Sequence, residues 1–284
     1  MKIWLLDYDP ACDSLSMEDL ADHERLQFDG RPLSGTWTPP KLSSRFINKP
    51  SDFLGRHDSA LLISRHAKEI FEQLLHPGEV EFLLTQHEGY DYYYMHVLNM
   101  VSCLDEPNCL ESDSPYSIYG YEAYAIHEHL VKPHQIMRIT HHAGKSTVGY
   151  PFVSDSVYEA ITKSDLKGYQ LVEMWDSEYS WQQKQADFQA MVEKITQSLI
   201  ETFNYDRAVD LAKKKGMIVY SDKWSMKADK DGDLMLGQLL QDGSYSWIYP
   251  VFIPPILLYQ TWGIQDPLPA GKLDRLKKTL SFKK

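Results

Sequence analysis

The sequence predicts an α+β protein: mixed or antiparallel sheets with packed helices, and a helix-containing C-terminal lobe. Three patterns lead there. Tyr92 to Met100 alternates with period two, as a strand does. Ala67, Ile70, Phe71 and Leu74 follow Ser64 at helical spacing, and a longer stripe of Phe188, Met191, Val192, Ile195, Leu199 and Phe203 follows Trp181. Composition agrees, with 43% hydrophobic and 24% charged residues, which is globular rather than disordered.

Taken in order, MKIWLLDY reads as a first strand. One Lys and a short apolar run that meets Asp7 and Asp9 do not make a signal peptide. Residues 9 to 60 alternate polar patches with Pro and Gly, as a segment of short strands wrapping a sheet would. Ala60 to Ile63 is then a buried strand, Ser64 an N-cap, and Pro77-Gly78 the end of the helix. Val80 to Leu84 is the next strand, and Gly89 turns the chain into the aromatic strand. That strand carries Tyr92, Tyr94, His96 and Leu98 on one face and Tyr93, Met95, Val97 and Asn99 on the other.

A second stretch has the same outline. Phe152-Val153 leads to Ser154, a helix through Val157, Ala160 and Ile161 follows, and Gly168 precedes a strand from Tyr169 to Met174. This is either a duplicated strand-helix-strand unit or the common grammar of strand, capped helix and strand. Between the two, Tyr119 to His129 suits a short helix or strand, Gln135 to Thr140 a strand, and His141 to Lys145 a turn. Beyond Trp181 the stripe predicts a helix over about 182–203. A helix from Tyr205 to Lys215 ends at Gly216 with three lysines in its last turn, where they complement the helix dipole. Ile218 to Tyr220 and Leu234 to Leu236 read as strands, and the tail from Gly271 as a basic amphipathic helix. The organisation expected is residues 1–180 as one α+β domain and 181–284 as a C-terminal helical and β lobe, separate or packed into the same domain.

Charge narrows the function classes. The net charge of −11 is carried by residues 1 to 120, where 20 Asp and Glu face 9 Lys and Arg; the other 164 residues carry 20 of each sign. That balance disfavours a phosphate backbone as partner and favours a basic protein. The apolar stretch from Val251 to Tyr259 is too short to span a bilayer and is broken by Pro254 and Pro255, so no membrane segment is expected. Three cysteines, Cys12, Cys103 and Cys109, without a chelating pair fit a reducing, cytoplasmic setting.

Several motifs hint at chemistry. His127, Glu128, His129, His134, His141 and His142 are the densest set of metal-ligand types, and a metal-assisted enzyme built on this region is the alternative reading of function. Asp229-Lys230-Asp231-Gly232-Asp233 departs from EF-hand spacing, because its Gly is fourth and its twelfth residue is Leu240; a turn explains it. Gly144-Lys145-Ser146-Thr147 lacks the earlier Gly of a phosphate loop. No catalytic residue, cofactor or metal is assigned. For a protein partner, Glu88, Asp91, Tyr92 and Tyr94 combine carboxylates with amphipathic rings beside Gly89; the alternative is a buried aromatic strand whose hydroxyls are bonded internally. Tyr116 and Tyr119, with Tyr121 and Tyr124, make a second aromatic patch after an acidic stretch.

Pro50-Ser51-Asp52-Phe53, Leu62-Ile63-Ser64, the Val80 to Leu84 strand, the aromatic strand with Cys103-Leu104-Asp105, Gln135 to Ile139, Phe152-Val153-Ser154-Asp155, Lys167-Gly168 and Leu171 to Met174 together carry a resemblance. Over about residues 50–174 the chain resembles the eleventh immunity family of bacterial polymorphic toxin systems, formerly a domain of unknown function. The resemblance implies an antidote that neutralises a cognate toxin by direct contact. It supplies neither catalytic residues nor toxin-contact positions, and it leaves out residues 183–284. The competing non-enzymatic reading is a regulatory interaction protein unrelated to toxins. Self-association through an exposed sheet edge is also open.

Overall fold

A computed structural model describes residues 1–112, 121–141 and 146–265. The chain divides into two compact units, Met1–Trp181 and Gln182–Lys284.

In the first unit the elements are β1 (Lys2–Tyr8), β2 (Ser14–Met17), α1 (Leu20–Arg25), β3 (Leu42–Phe46), β4 (Phe53–His57), β5 (Ala60–Ser64), α2 (Arg65–Leu74), β6 (Val80–His87), β7 (Tyr90–Val97), β8 (Met100–Val101), β9 (Leu110–Glu111), β10 (Tyr121–Ala123), α3 (Glu128–Val131), β11 (Ile136–His141), β12 (Ser146–Thr147), β13 (Phe152–Ser154), α4 (Asp155–Lys163) and β14 (Tyr169–Asp176). Two larger sheets organise them. One runs β4-β5-β7-β6, the other β12-β11-β13-β1-β14 with β8 parallel to β11. The mixed and antiparallel α+β class read from the sequence is the class observed.

The two similar stretches share a topology. After β5 the chain passes through α2 to β6, and β7 is inserted antiparallel between those strands. After β13 it passes through α4 to β14, and β1 is inserted antiparallel between them. Each is therefore a split strand-helix-strand unit whose central strand lies outside that stretch: β7 directly follows β6, whereas β1 comes from the start of the chain.

Burial follows the alternation. Met95 and Val97 of β7 join Leu61, Ile63, Phe71, Val153, Val157 and Ile161 in a core that contains residues of both sheets, α2 and α4. Tyr94 points the other way, into a second core with Phe28, Leu42, Leu54 and Leu62. A third, around Ile3, Cys103, Tyr124, Met137 and Phe152, covers the opposite face of the larger sheet. Both faces of β7 are thus covered, which is why its sequence is aromatic on both.

Capping differs between the two units. Ser64 accepts the Ala67 N–H at 3.1 Å and caps α2 as expected. Ser154 makes no cap bond; its hydroxyl donates to Gln135 Oε1 at 2.8 Å, beside Ser156. The expectation of a capping Ser154 is corrected: Gln135, which precedes β11, competes for the same hydroxyl.

The second unit contains α5 (Trp181–Gln197), β15 (Leu199–Phe203), α6 (Tyr205–Lys215), β16 (Val219–Ser221), β17 (Trp224–Ala228), β18 (Leu234–Leu239), β19 (Tyr245–Ile248), α7 (Pro255–Leu258) and β20 (Trp262–Gln265). Its sheet is antiparallel, in the order β15-β20-β16-β17-β18-β19. The helix expected to reach residue 203 stops at Gln197. Ser198 donates its hydroxyl back to the Ile195 carbonyl at 2.6 Å, and Leu199 to Phe203 leave the helix to pair with β20. Leu199 and Phe203 belong to a strand whose spacing happened to continue the helical stripe. The α6 boundaries are those expected: Asn204 caps the start, and Gly216, at φ +62°, closes the end in the left-handed conformation. The basic tail lies outside the described residues.

Candidate partner-binding site

The β6–β7 hairpin carries the residues singled out for contact with a partner. His87 pairs with Tyr90, leaving Glu88 and Gly89 as the two turn residues. Their φ values of +50° and +83° match the mirror-image turn that suits a twisted hairpin. This turn lifts Glu88 out of the sheet, with its side chain 77% exposed, beside Tyr90 at 69%.

Asp91 is anchored rather than free. Arg65, the first residue of α2, forms an ion pair with it, and Gln86 donates to Oδ1 at 2.7 Å. The Gln86 amide, then the Arg65 guanidinium, hold the Asp91 carboxyl below the usual carboxylate range. Tyr92 is half-buried against the core behind the sheet, and burial raises its hydroxyl pKa. Tyr94 is a correction. At 2% exposure it is a core side chain packed by Phe28 and Trp37, because it follows Tyr92 on the inward face, two residues nearer the middle of the sheet. Tyr116 and Tyr119 lie outside the described residues; Tyr121 and Tyr124, their neighbours, are buried.

The structure brings together Glu88, Tyr90, Asp91 and Arg65. Sequence reasoning passed over Tyr90 and Arg65. Arg65 was within reach, since Ser64 pairs with Tyr92 and the next residue along is set beside Asp91.

The histidine region separates into unrelated contacts. The rings of His127 and His129 are 6.0 Å apart, His134 Nδ1 lies 3.7 Å from Glu79, and buried His141 ends β11 beside Tyr121. His142 lies outside the described residues. Among the described residues no group of three or more His, Cys, Asp or Glu is placed to hold a metal ion. Asp229 Oδ1 accepts the N–H groups of Asp231 and Asp233, each at 2.9 Å, so this loop is the β17–β18 turn.

The motifs that carried the resemblance meet at Asp52. Its side chain accepts the Ser64 hydroxyl at 2.7 Å and the Lys167 N–H at 3.0 Å, and its own N–H donates to the Lys167 carbonyl at 2.8 Å. Ser51 lies against Gly168, whose φ of +77° and missing Cβ make room for it. These residues join the cap of α2 to the turn before β14.

A further surface feature sits in the second unit. Residues 243–265 contain no charged side chain. Val251 is fully exposed, and Phe252, Ile256 and Tyr259 are exposed around it, beside a groove of about 340 Å³ lined by Trp224, Ile248 and Pro254. No described helix is long and apolar enough to cross a membrane.

Fold and site together describe an α+β protein in which the residues that carried the resemblance serve packing, capping and turns. The Immunity protein family (Imm11) matches residues 20–176, more than half of the chain, and the protein belongs to that family. The match starts upstream of the 50–174 stretch that carried the resemblance and takes in α1, β3 and the loop between them. No curated protein matches the chain.

Proposed function

We propose that this protein neutralises a cognate bacterial toxin by direct, stoichiometric contact, and that the β6–β7 tip is part of the contact surface. Membership of an immunity family supports the general role. The observation that carries the location is the exposed tip itself: Glu88 and Tyr90 project from a hairpin whose base is buried in two cores, with Asp91 and Arg65 at its foot. A rigid mount lowers the entropy lost on binding, and an acidic residue next to an aromatic ring suits a basic partner. On this reading the protein acts in the cytoplasm and needs no turnover of its own.

The test is calorimetric titration of the full chain with the product of the adjacent upstream gene. One-to-one binding tighter than about 0.1 μM, roughly −9.5 kcal/mol, is expected. Glu88→Lys combined with Tyr90→Ala should weaken it at least tenfold with an unchanged circular dichroism spectrum. A folded neighbour that does not bind overturns the pairing; full affinity in the double variant removes the tip from the interface.

A further inference from the structure

A cleft in the first unit is lined by residues other than those of the hairpin tip. Its deep part, about 80 Å³, is lined by Tyr8, Ser14, Ser16, Arg45, Arg56 and His57, among others. An open mouth of about 260 Å³ shares Tyr8, Ser14 and Arg45 and adds Pro10 and Phe46. The deep part has room for a few waters or one phosphate-sized group.

The position of Arg45 is a product of strand register. β2 pairs with β3 so that Ser14 faces Phe46 while Leu15 faces Ser44. Arg45 is the extra residue of a β-bulge, the irregularity that re-aims a side chain out of the regular alternation. Ser14 and Ser16, two apart on β2, share one face. Gly55 lets β2 approach β4 closely: a Cβ there would stand 2.9 Å from the Leu15 carbonyl oxygen.

The polar groups of this cleft divide into used and unused. Arg56 is committed to Asp7 and to the carbonyls of Asp58 and Gly149, and His57 to the Leu26 carbonyl and His23. Asp9 and Asp13, adjacent in the chain to lining residues, accept the N–H groups of Ala11 and Asn48 and keep their negative charge. By contrast, the Arg45 guanidinium and the hydroxyls of Tyr8, Ser14 and Ser16 have no hydrogen-bond or ion-pair partner among the described residues, although Ser14 is only 6% exposed. Four unspent donor groups converge in a chain region with only nine Lys and Arg among 120 residues.

From this convergence we infer that the cleft formed by β2, the Arg45 bulge and Tyr8 binds a phosphate-type oxyanion. A planar carboxylate offers two oxygens; a tetrahedral oxyanion offers three or more, enough for a guanidinium fork and three hydroxyls. The group is either free phosphate or the terminal monoester of a larger molecule, for which Phe46 and Pro10 line the mouth. Overall negative charge opposes the approach of an anion, so affinity is modest, with Kd on the order of 1 mM.

The test is calorimetry or amide NMR titration of the full chain at constant ionic strength, with inorganic phosphate and phenyl phosphate as probes and chloride as baseline. Saturable binding with shifts at residues 14–16 and 45 is expected, weakened at least tenfold in Arg45→Gln and in Ser16→Ala. Equal affinity for the two probes identifies the free ion, and tighter phenyl phosphate identifies a carried group. Both probes indistinguishable from chloride at these positions, or full binding in a folded Arg45→Gln protein, overturns the site.

Discussion

His96 and Glu81 face each other across the β6–β7 ladder, with Nδ1 of the histidine 3.0 Å from Oε1 of the glutamate. Nε2 of the same ring accepts the Gly30 N–H at 3.2 Å, so the ring is neutral and its proton sits on Nδ1. Glu81 also accepts the N–H groups of Leu33 and Ser34, at 2.5 and 3.1 Å. One cross-strand pair thereby holds the loop that follows Phe28 against the edge strand β6, where Trp37 donates to the Leu84 carbonyl at 2.7 Å.

Protonation of His96 is expected to loosen this arrangement. The ring is fully buried, and burial lowers its pKa below 6.5, with Glu81 opposing. As pH falls below 6.5 the unfolded chain takes up a proton that the folded ring refuses, so stability drops, by at most about 1.4 kcal/mol per pH unit from this group. Above that pH the group contributes no slope. Urea unfolding at pH 7.5 and 5.5 should show a larger loss in the wild type than in His96→Gln, itself destabilised by about 1–3 kcal/mol at neutral pH through the lost buried bonds. Equal pH dependence in the two proteins would contradict this account.

Glu88 occupies a left-handed turn position that glycine and asparagine fill at lower cost. Glu88→Asn should stabilise the first unit by about 0.5–1 kcal/mol in urea titrations. If Glu88 contacts the toxin, the same change should weaken binding. An unaltered or lowered stability would argue against strain at this turn.

Ser64→Ala should cost about 1 kcal/mol through loss of the α2 cap. It also removes the bond to Asp52, so its effect should exceed that of Ser154→Ala, which removes no cap. Chemical denaturation of both variants gives the comparison; the reverse order would show that the Gln135 contact matters more than the cap.

At Gly168 a Cβ would stand 1.9 Å from the Ser51 hydroxyl oxygen, and φ is +77°. Gly168→Ala should therefore destabilise by more than about 2 kcal/mol, combining backbone strain and overlap. Adding Ser51→Gly should relieve the overlap and leave the strain, so partial recovery of Tm is the expected result.

Cys12 and Cys103 are buried and Cys109 is partly buried. Burial pushes Cys103 up to about 12 and raises Cys12 and Cys109 as well. A thiolate-specific reagent at pH 8 should label the native protein far more slowly than the protein in guanidinium. Fast labelling of three thiols without denaturant would refute it.

Much of the candidate tip was legible because turn chemistry and period-two alternation act over a few residues. Gly89 and the tyrosine strand announced the hairpin, and Asp91 and Glu88 were adjacent in the chain. Tyr94 stood between contact surface and core because alternation says which residues share a face, while only the packing of Phe28 and Trp37 says that this face is covered. Arg45 gave no signal at all: a bulge depends on the register of two strands separated by a long loop.

Local physics in the sequence determined the α+β class, the Ser64 cap, the α6 boundaries at Asn204 and Gly216, and the turn at Asp229. Each depends on local terms: apolar periodicity, side chains bonding to nearby backbone, and a glycine free to take positive φ. Tertiary structure alone decided that helix α5 stops at Gln197, where pairing with β20 outweighs a continuing helical stripe, and that Ser154 bonds to Gln135 instead of capping. It also decided that β7 and β1 enter split strand-helix-strand units, and that Arg45 meets Tyr8, Ser14 and Ser16. Those outcomes rest on partners far apart in the chain, whose pairing is chosen by burial and register rather than by local spacing.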